Sequence, residues 1–432
     1  MRKRILSVIL CLCLSAGLIT GCGDSGSDRD SDRAGNPDSE RESKGANTLL
    51  SELLGKVETT PESAHESEAA DSPLNDLPDN SAATPEWVPD PTPESTPKPT
   101  PEPYVIKGVK VDGGEWCGLS WQVTNAGELI VTGHMEEAYA GEDYEGDEYS
   151  YRFYGDWPWR LAPWDQYAPT INSASLAFSG AGSLVYFFKS YNKLKRVDVR
   201  DLDTSNVTNM EGMFYECESL VSLDLRSFDT HNATNMKDMF FGCSALTSLD
   251  VSSFDTGNVT DMCGMFRLCS SLTSLDVSSI DTSAVTDMIL MFGGCSSLTS
   301  LDVSNFDTTN VTYMDRVFAG CSSLTSLDVS SFDTANVTDM GSMFMGCSSL
   351  KSLDVSGFDT TNVTTMRDMF YDCQSLTDLD LCNFNTGNVT NMESMFESCI
   401  RLQEILVGDG WRLAWHCDDM FKNAGVSGVT FQ

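Results

Sequence analysis

Residues 324 to 347 read LTSLDVSSFDTANVTDMGSMFMGC, and this stretch returns along the chain at a fixed spacing. Leu327 and Val329 flank Asp328 two residues apart, which is the period of a strand with one buried face. Met340, Met343, Phe344 and Cys347 fall at i, i+3, i+4 and i+7, the apolar stripe of a short helix or helical turn. Each unit is therefore expected to make a strand, a turn and a helical return.

Working outward, Phe188, Phe214, Phe240, Phe266, Phe292, Phe318, Phe344, Phe370 and Phe396 recur every 26 residues without a slip. The leucines from Leu194 to Leu402 keep the same period. A constant period in this range means stacked coils, because no single coil can bury its own apolar face. Eight full units begin at Leu194, the solenoid spans 168–401, and 402–432 is a divergent capping repeat. The expected fold class is an α/β solenoid, a right-handed stack with a parallel β-sheet on one face and short helical turns on the other. The absence of proline after Pro169 suits strands whose backbone donors are all paired.

A small β-rich cap, 105–167, is expected before the stack. Trp121-Gln122-Val123 and Leu129-Ile130-Val131 read as two strands about the turn Asn125-Ala126-Gly127. The acidic aromatic insertion from Glu142 to Tyr154 matches no EF-hand spacing and reads as a solvated loop. Trp157, Trp159 and Trp164 are expected to seal the first coil, since the end of a solenoid exposes core.

The chain opens with Arg2, Lys3 and Arg4 followed by an apolar run from Ile5 to Ile19, which reads as an export signal over 1–21. Ile19-Thr20-Gly21-Cys22 resembles the lipobox at which bacterial signal peptides are cut, and the resemblance implies that Cys22 carries lipid. From 22 to 104 the sequence is rich in Ser, Asp, Glu and Pro and holds 12 of the 15 prolines. It reads as a disordered tether, spanning roughly 50 Å as a coil. A formal charge of −37 excludes nucleic acid as a partner, because phosphate contacts need clustered Lys and Arg. Membrane contact is expected through the N-terminal lipid alone.

The repeat core, with Asn-Val-Thr-Asp-Met and Met-Phe-x-x-Cys-Ser-Ser-Leu-x-Ser-Leu-Asp-Val, resembles the BspA-like leucine-rich-repeat surface proteins in their 26-residue branch. The segment from Cys117-Gly118 through Gly127-Glu128-Leu129-Ile130-Val131-Thr132-Gly133 to Pro163-Trp164 is similar to the cap that often precedes such repeats. The resemblance covers nearly everything from 105 to 432. It implies a leucine-rich-repeat-type solenoid on the bacterial cell surface, with adhesion to a host or extracellular-matrix protein or a cell-surface polymer. It does not identify the ligand.

Repetition turns a position into a row of like side chains about 4.8 Å apart. The candidate binding face is the outward row Asp224, Asp250, Asp276, Asp302, Asp328, Asp354 and Asp380 with Ser274, Ser300 and Ser326 beside it. Neighbouring carboxylates in such a row repel by about 0.9 kcal/mol per pair even in water, which cations or a basic partner would relieve. A soluble face kept by duplication is the alternative. No resident cofactor is expected, and calcium is the one cation considered for the row. The second row, Asp229, Asp255, Asp281, Asp307, Asp333 and Asp359, and the Asn row with Asn258 and Asn310 are expected to serve local turns.

Cys217, Cys243, Cys269, Cys295, Cys321, Cys347, Cys373 and Cys399 form a further ladder, read as buried thiols because parallel Cβ vectors do not aim sulfurs at one another. The four histidines, His65, His134, His231 and His416, show no zinc spacing, and no phosphate loop or nucleophile elbow appears. The chain therefore reads as a binding protein and not as an enzyme. A glycan-binding module and a scaffold with no ligand are the alternatives.

Overall fold

A computed structural model describes residues 108–135 and 162–432, which belong to one compact unit. The signal, Cys22, the tether, the Glu142–Tyr154 insertion, Trp157 and Trp159 lie outside the described residues.

The stack begins at the cap. Strands β1 (Lys110–Trp116), β2 (Leu119–Thr124) and β3 (Glu128–His134) form an antiparallel meander, of which β1 was not anticipated. Strand β3 then pairs in parallel with β4 (Ser173–Ser179), which pairs with β5 (Arg196–Asp198) and then β6 (Ser222–Leu223). The cap thus supplies the first strand of the solenoid's own sheet. Trp164 is buried where cap and coils meet, its ring 5.3 Å from Trp116, 6.0 Å from Trp121 and 6.3 Å from Phe187.

The expected continuous sheet is interrupted. Strands reappear only at the far end, where β7 (Asp378–Leu381), β8 (Glu404–Val407) and β9 (Thr430–Phe431) pair in parallel. In the coils between, Leu249, Val251 and their counterparts stay buried, but the coils lack a regular ladder there; Thr299 N–H meets the Thr273 carbonyl at a long 3.4 Å. What joins every coil is another row. Ser183, Asn209, Asn235, Asp261, Asp287, Tyr313, Asp339, Thr365 and Asn391 are linked one to the next by parallel bridges 26 residues apart, the last to His416.

The expected helical return is replaced by a chain of turns, and the 3-10 turn Asp165–Tyr167 is the one helical element among the described residues. Hydrogen bonding in one coil shows why. The N–H groups of Met340, Ser342, Phe344 and Gly346 donate to Thr365, Arg367, Met369 and Tyr371 in the next coil at 2.7–3.2 Å. Those of Met343, Met345 and Cys347 donate three residues back within their own coil. An α-helix would spend every donor inside the segment, and two isolated turns of helix are marginal in any case. Handing alternate donors to the neighbour satisfies both sets, but it requires a left-handed residue at two columns per coil. Ser342 (φ 55°) and Gly346 (φ 72°) occupy them here, and Leu290 (φ 58°), Arg316 (φ 60°) and Leu268 (φ 59°) do so in other coils. The apolar stripe is spared by the change: Met340, Met343, Phe344 and Cys347 are all fully buried.

Candidate functional site: the polar rows of the solenoid

The ten Asp and Ser side chains of the candidate face stand on one side of the stack, with Asp224 and Asp250 half-buried and the others exposed. Alternation with the buried Leu and Val of each coil puts them there. Their carboxylates, however, are engaged by their own backbone. Asp250, Asp276, Asp302, Asp328 and Asp354 each accept the N–H of the serine two residues on at 2.9–3.1 Å, and Asp380 accepts that of Cys382 at 3.0 Å. These are Asx turns that end each extended segment.

The serine hydroxyls of Ser278, Ser304, Ser330 and Ser356, followed by their N–H groups, hold the carboxyls of Asp276, Asp302, Asp328 and Asp354 below the ordinary carboxylate range. For Asp276, repulsion from Asp250 and Asp302 is the smallest influence. These four carboxylates are therefore ionised and oriented without needing a cation, because local donors outweigh the repulsion between rungs. At the N-terminal end the charge is matched: Arg200 and Arg226 make bidentate contacts to Asp198 and Asp224 at 2.6–2.9 Å.

The second Asp row behaves alike, with Asp281, Asp307, Asp333 and Asp359 accepting the N–H two residues on at 2.9–3.0 Å. The Asn row does more than serve its own turn. Asn258, Asn310, Asn336 and Asn362 donate from Nδ2 to carbonyls of the preceding coil at 2.8 Å, so they tie coils together.

A row that the sequence reading passed over proves to be the most buried polar feature. Thr204, Thr230, Thr256, Thr282, Thr308, Thr334, Thr360 and Thr386 are almost completely buried. The first six donate from Oγ1 to the carbonyl of the Asp 25 residues on, at 2.8–2.9 Å. The signal was available: this threonine never varies, although the residue before it changes from Asp to Asn at Asn385.

The eight ladder cysteines are buried and unbridged, and each Sγ lies 3.0–3.2 Å from a phenylalanine carbonyl of the coil before, as Cys295 does from Phe266. Burial pushes the Cys295 and Cys347 thiols up to about 12. No helix among the described residues is long and apolar enough to cross a membrane.

Three overlapping stretches, 182–300, 250–352 and 286–411, match the family model described as "Mycoplasma protein of unknown function, DUF285", and together they cover more than half of the chain. No curated protein matches. Among solved structures, a leucine-rich repeat protein from Eubacterium ventriosum is similar at 15% identity and a TM-score of 0.32, over 75% of this chain and 97% of that one. A leucine rich cell surface protein from Faecalibacterium prausnitzii is similar at 14% identity and a TM-score of 0.31, over 74% and 94%.

Proposed function

Because the chain belongs to the DUF285 family, whose description assigns no activity, we propose a function from its surface: a lipid-anchored cell-surface protein, held through Cys22, that binds an extracellular partner along the Ser and Asp column. The observation that carries this reading is the orientation of that column. The four coils from Ser274 to Ser356 present the same exposed Ser-Asp-Ser set, and the carboxylates of Asp276, Asp302, Asp328 and Asp354 are held ionised by donors of their own coils. A surface already organised before binding loses little side-chain entropy when a partner arrives. Its monotony suits a ligand that repeats, such as a basic stretch of an extracellular-matrix protein or a cationic polymer.

The test compares the full chain with a variant carrying Asp276→Asn, Asp302→Asn and Asp328→Asn. Asparagine keeps the acceptor oxygen that each turn needs and removes the charge, so folding should survive. Binding to immobilised extracellular-matrix proteins, mucin and wall polysaccharides is measured with and without calcium. Saturable binding to a matrix protein that falls at least tenfold in the variant and weakens with salt supports the reading. Binding to polysaccharide that ignores the variant shifts it to a glycan module, and no binding at all leaves a scaffold.

A further inference from the structure

At one point the stack departs from its repeat on three positions together. The bridge row reads Asn209, Asn235, Asp261, Asp287, Tyr313, Asp339, Thr365, Asn391, so acids follow one another only at 261 and 287. The column two residues on reads Glu211, Lys237, Cys263, Ile289, Asp315, Gly341, Arg367, Glu393, and its one cysteine falls in the coil of Asp261. The Cys263 sulfur and one oxygen from each of Asp261 and Asp287 lie within 4.8 Å of one another. Cys263 is only 4% exposed, and both carboxylates are half-buried.

The turns fix this geometry. Asp261 accepts the Cys263 N–H at 2.9 Å, and Asp287 accepts the Ile289 N–H at 2.9 Å, so both carboxylates are set by their own backbone. The adjoining coil carries a further acid, Asp238, outside that trio. A Cβ on Gly264 would stand 2.0 Å from Asp238 Oδ1, so the glycine leaves the room into which that carboxylate leans. The Asp238 carboxyl is pushed up to about 6, chiefly by burial, against the pull of Lys237 and Arg267 and with smaller repulsion from Glu211 and then Asp261. Against these three acids Lys237 is the cation that acts on all of them.

We propose that Asp261, Cys263 and Asp287 form a binding site for a zinc-class divalent cation. Two carboxylates and a thiolate are ligands that zinc, cobalt or cadmium accept, whereas calcium and magnesium take oxygen alone. Binding releases the thiol proton of Cys263 to solvent. The site lies on the turn segments and not on the Ser and Asp column, and either reading can fail without the other.

The experiment adds cobalt(II) to the reduced full chain and follows the thiolate-to-cobalt charge-transfer absorption, then displaces the cobalt with zinc. One equivalent should bind, with the band absent in Cys263→Ser, and Asp287→Asn should bind at least tenfold more weakly. Lys237→Met should bind more tightly, which a merely misfolded variant would not do. Cys382→Ser removes a partly exposed cysteine elsewhere and should leave the band intact. The proposal is overturned if the wild type gives no band, if the band survives Cys263→Ser, or if Asp287→Asn binds as well as the wild type. Circular dichroism of each variant checks that the stack remains folded.

Discussion

Thr256 and Asp281, one coil apart, are joined twice: the threonine hydroxyl donates to the Asp281 carbonyl at 2.9 Å and accepts the Asp281 N–H at 2.8 Å. A single buried hydroxyl thus does for the next coil what two ladder bonds do in a sheet. Thr256→Val keeps the shape and removes both bonds, leaving a backbone donor and acceptor without partners at a cost of about 1–3 kcal/mol. Thr256→Ser should recover most of it. Because a stack of coils can unfold in parts, the amide exchange rate of Asp281 is the local readout beside the denaturation midpoint. An unchanged rate in the valine variant would show that this row is not what holds the coils.

The left-handed columns give a second prediction with opposite signs at two sites. At Gly346 an added Cβ would meet nothing nearer than 3.5 Å, so Gly346→Ala reports the backbone alone and should destabilise by about 1 kcal/mol. Ser398, in the same column at φ 61°, should gain stability as Ser398→Gly by up to about 1 kcal/mol. Urea denaturation of both variants decides the matter. Equal signs at the two positions would mean that φ does not set their energies.

These columns also explain what the sequence concealed. The stacking was legible because a repeated side chain must meet its copy: from Phe214 to Phe396 each ring lies 5.6–5.9 Å from the next and within 9° of parallel. The path of the backbone between copies was not. Met340, Met343, Phe344 and Cys347 point to one side whether they ride a helix or alternating turns, so spacing alone does not separate the two. Glycines at the columns would have betrayed left-handed turns, but Leu268, Leu290 and Arg316 stand in the same places and dilute the signal. On the candidate face, exposure followed from alternation, whereas the capture of each Asp by the next serine's N–H is a turn property that the repeat formula does not state.

The thiol ladder should be chemically silent. Alkylation of the native, reduced chain followed by mass spectrometry should modify Cys117, Cys382 and Cys417, which are partly exposed, and spare Cys217, Cys243, Cys269, Cys295, Cys321, Cys347, Cys373 and Cys399. The thiolate is the nucleophile, and burial holds the Cys295 and Cys347 thiols far above neutral pH. In denaturant all eight should react. Native labelling of a central rung such as Cys295 at the rate of Cys382 would mean that the coils open there.

The acids of the turn segments should place the stability maximum on the acidic side of neutrality. Asp315 is buried, and its carboxyl is pushed up to about 6, first by burial and then by repulsion from Asp339, although Arg316 lies 2.6 Å away and pulls the other way. Burial wins because the Arg316 guanidinium is itself a third exposed and partly hydrated. A carboxyl whose folded value is raised favours folding fully only while it is protonated, and that advantage is lost as pH climbs from about 4 through about 6. The lowered carboxyls of Asp276, Asp302 and Asp328 run in the opposite sense, and their contribution fades only as pH falls below the ordinary carboxylate range. Stability should therefore peak at about pH 4 to 5. Asp315→Asn removes the charge but not the shape, so it should raise the denaturation midpoint at pH 8, by an amount on the order of 1 kcal/mol, with the difference closing by pH 4. A variant less stable than the wild type at pH 8 would show that the Arg316 pair, and not burial, governs Asp315.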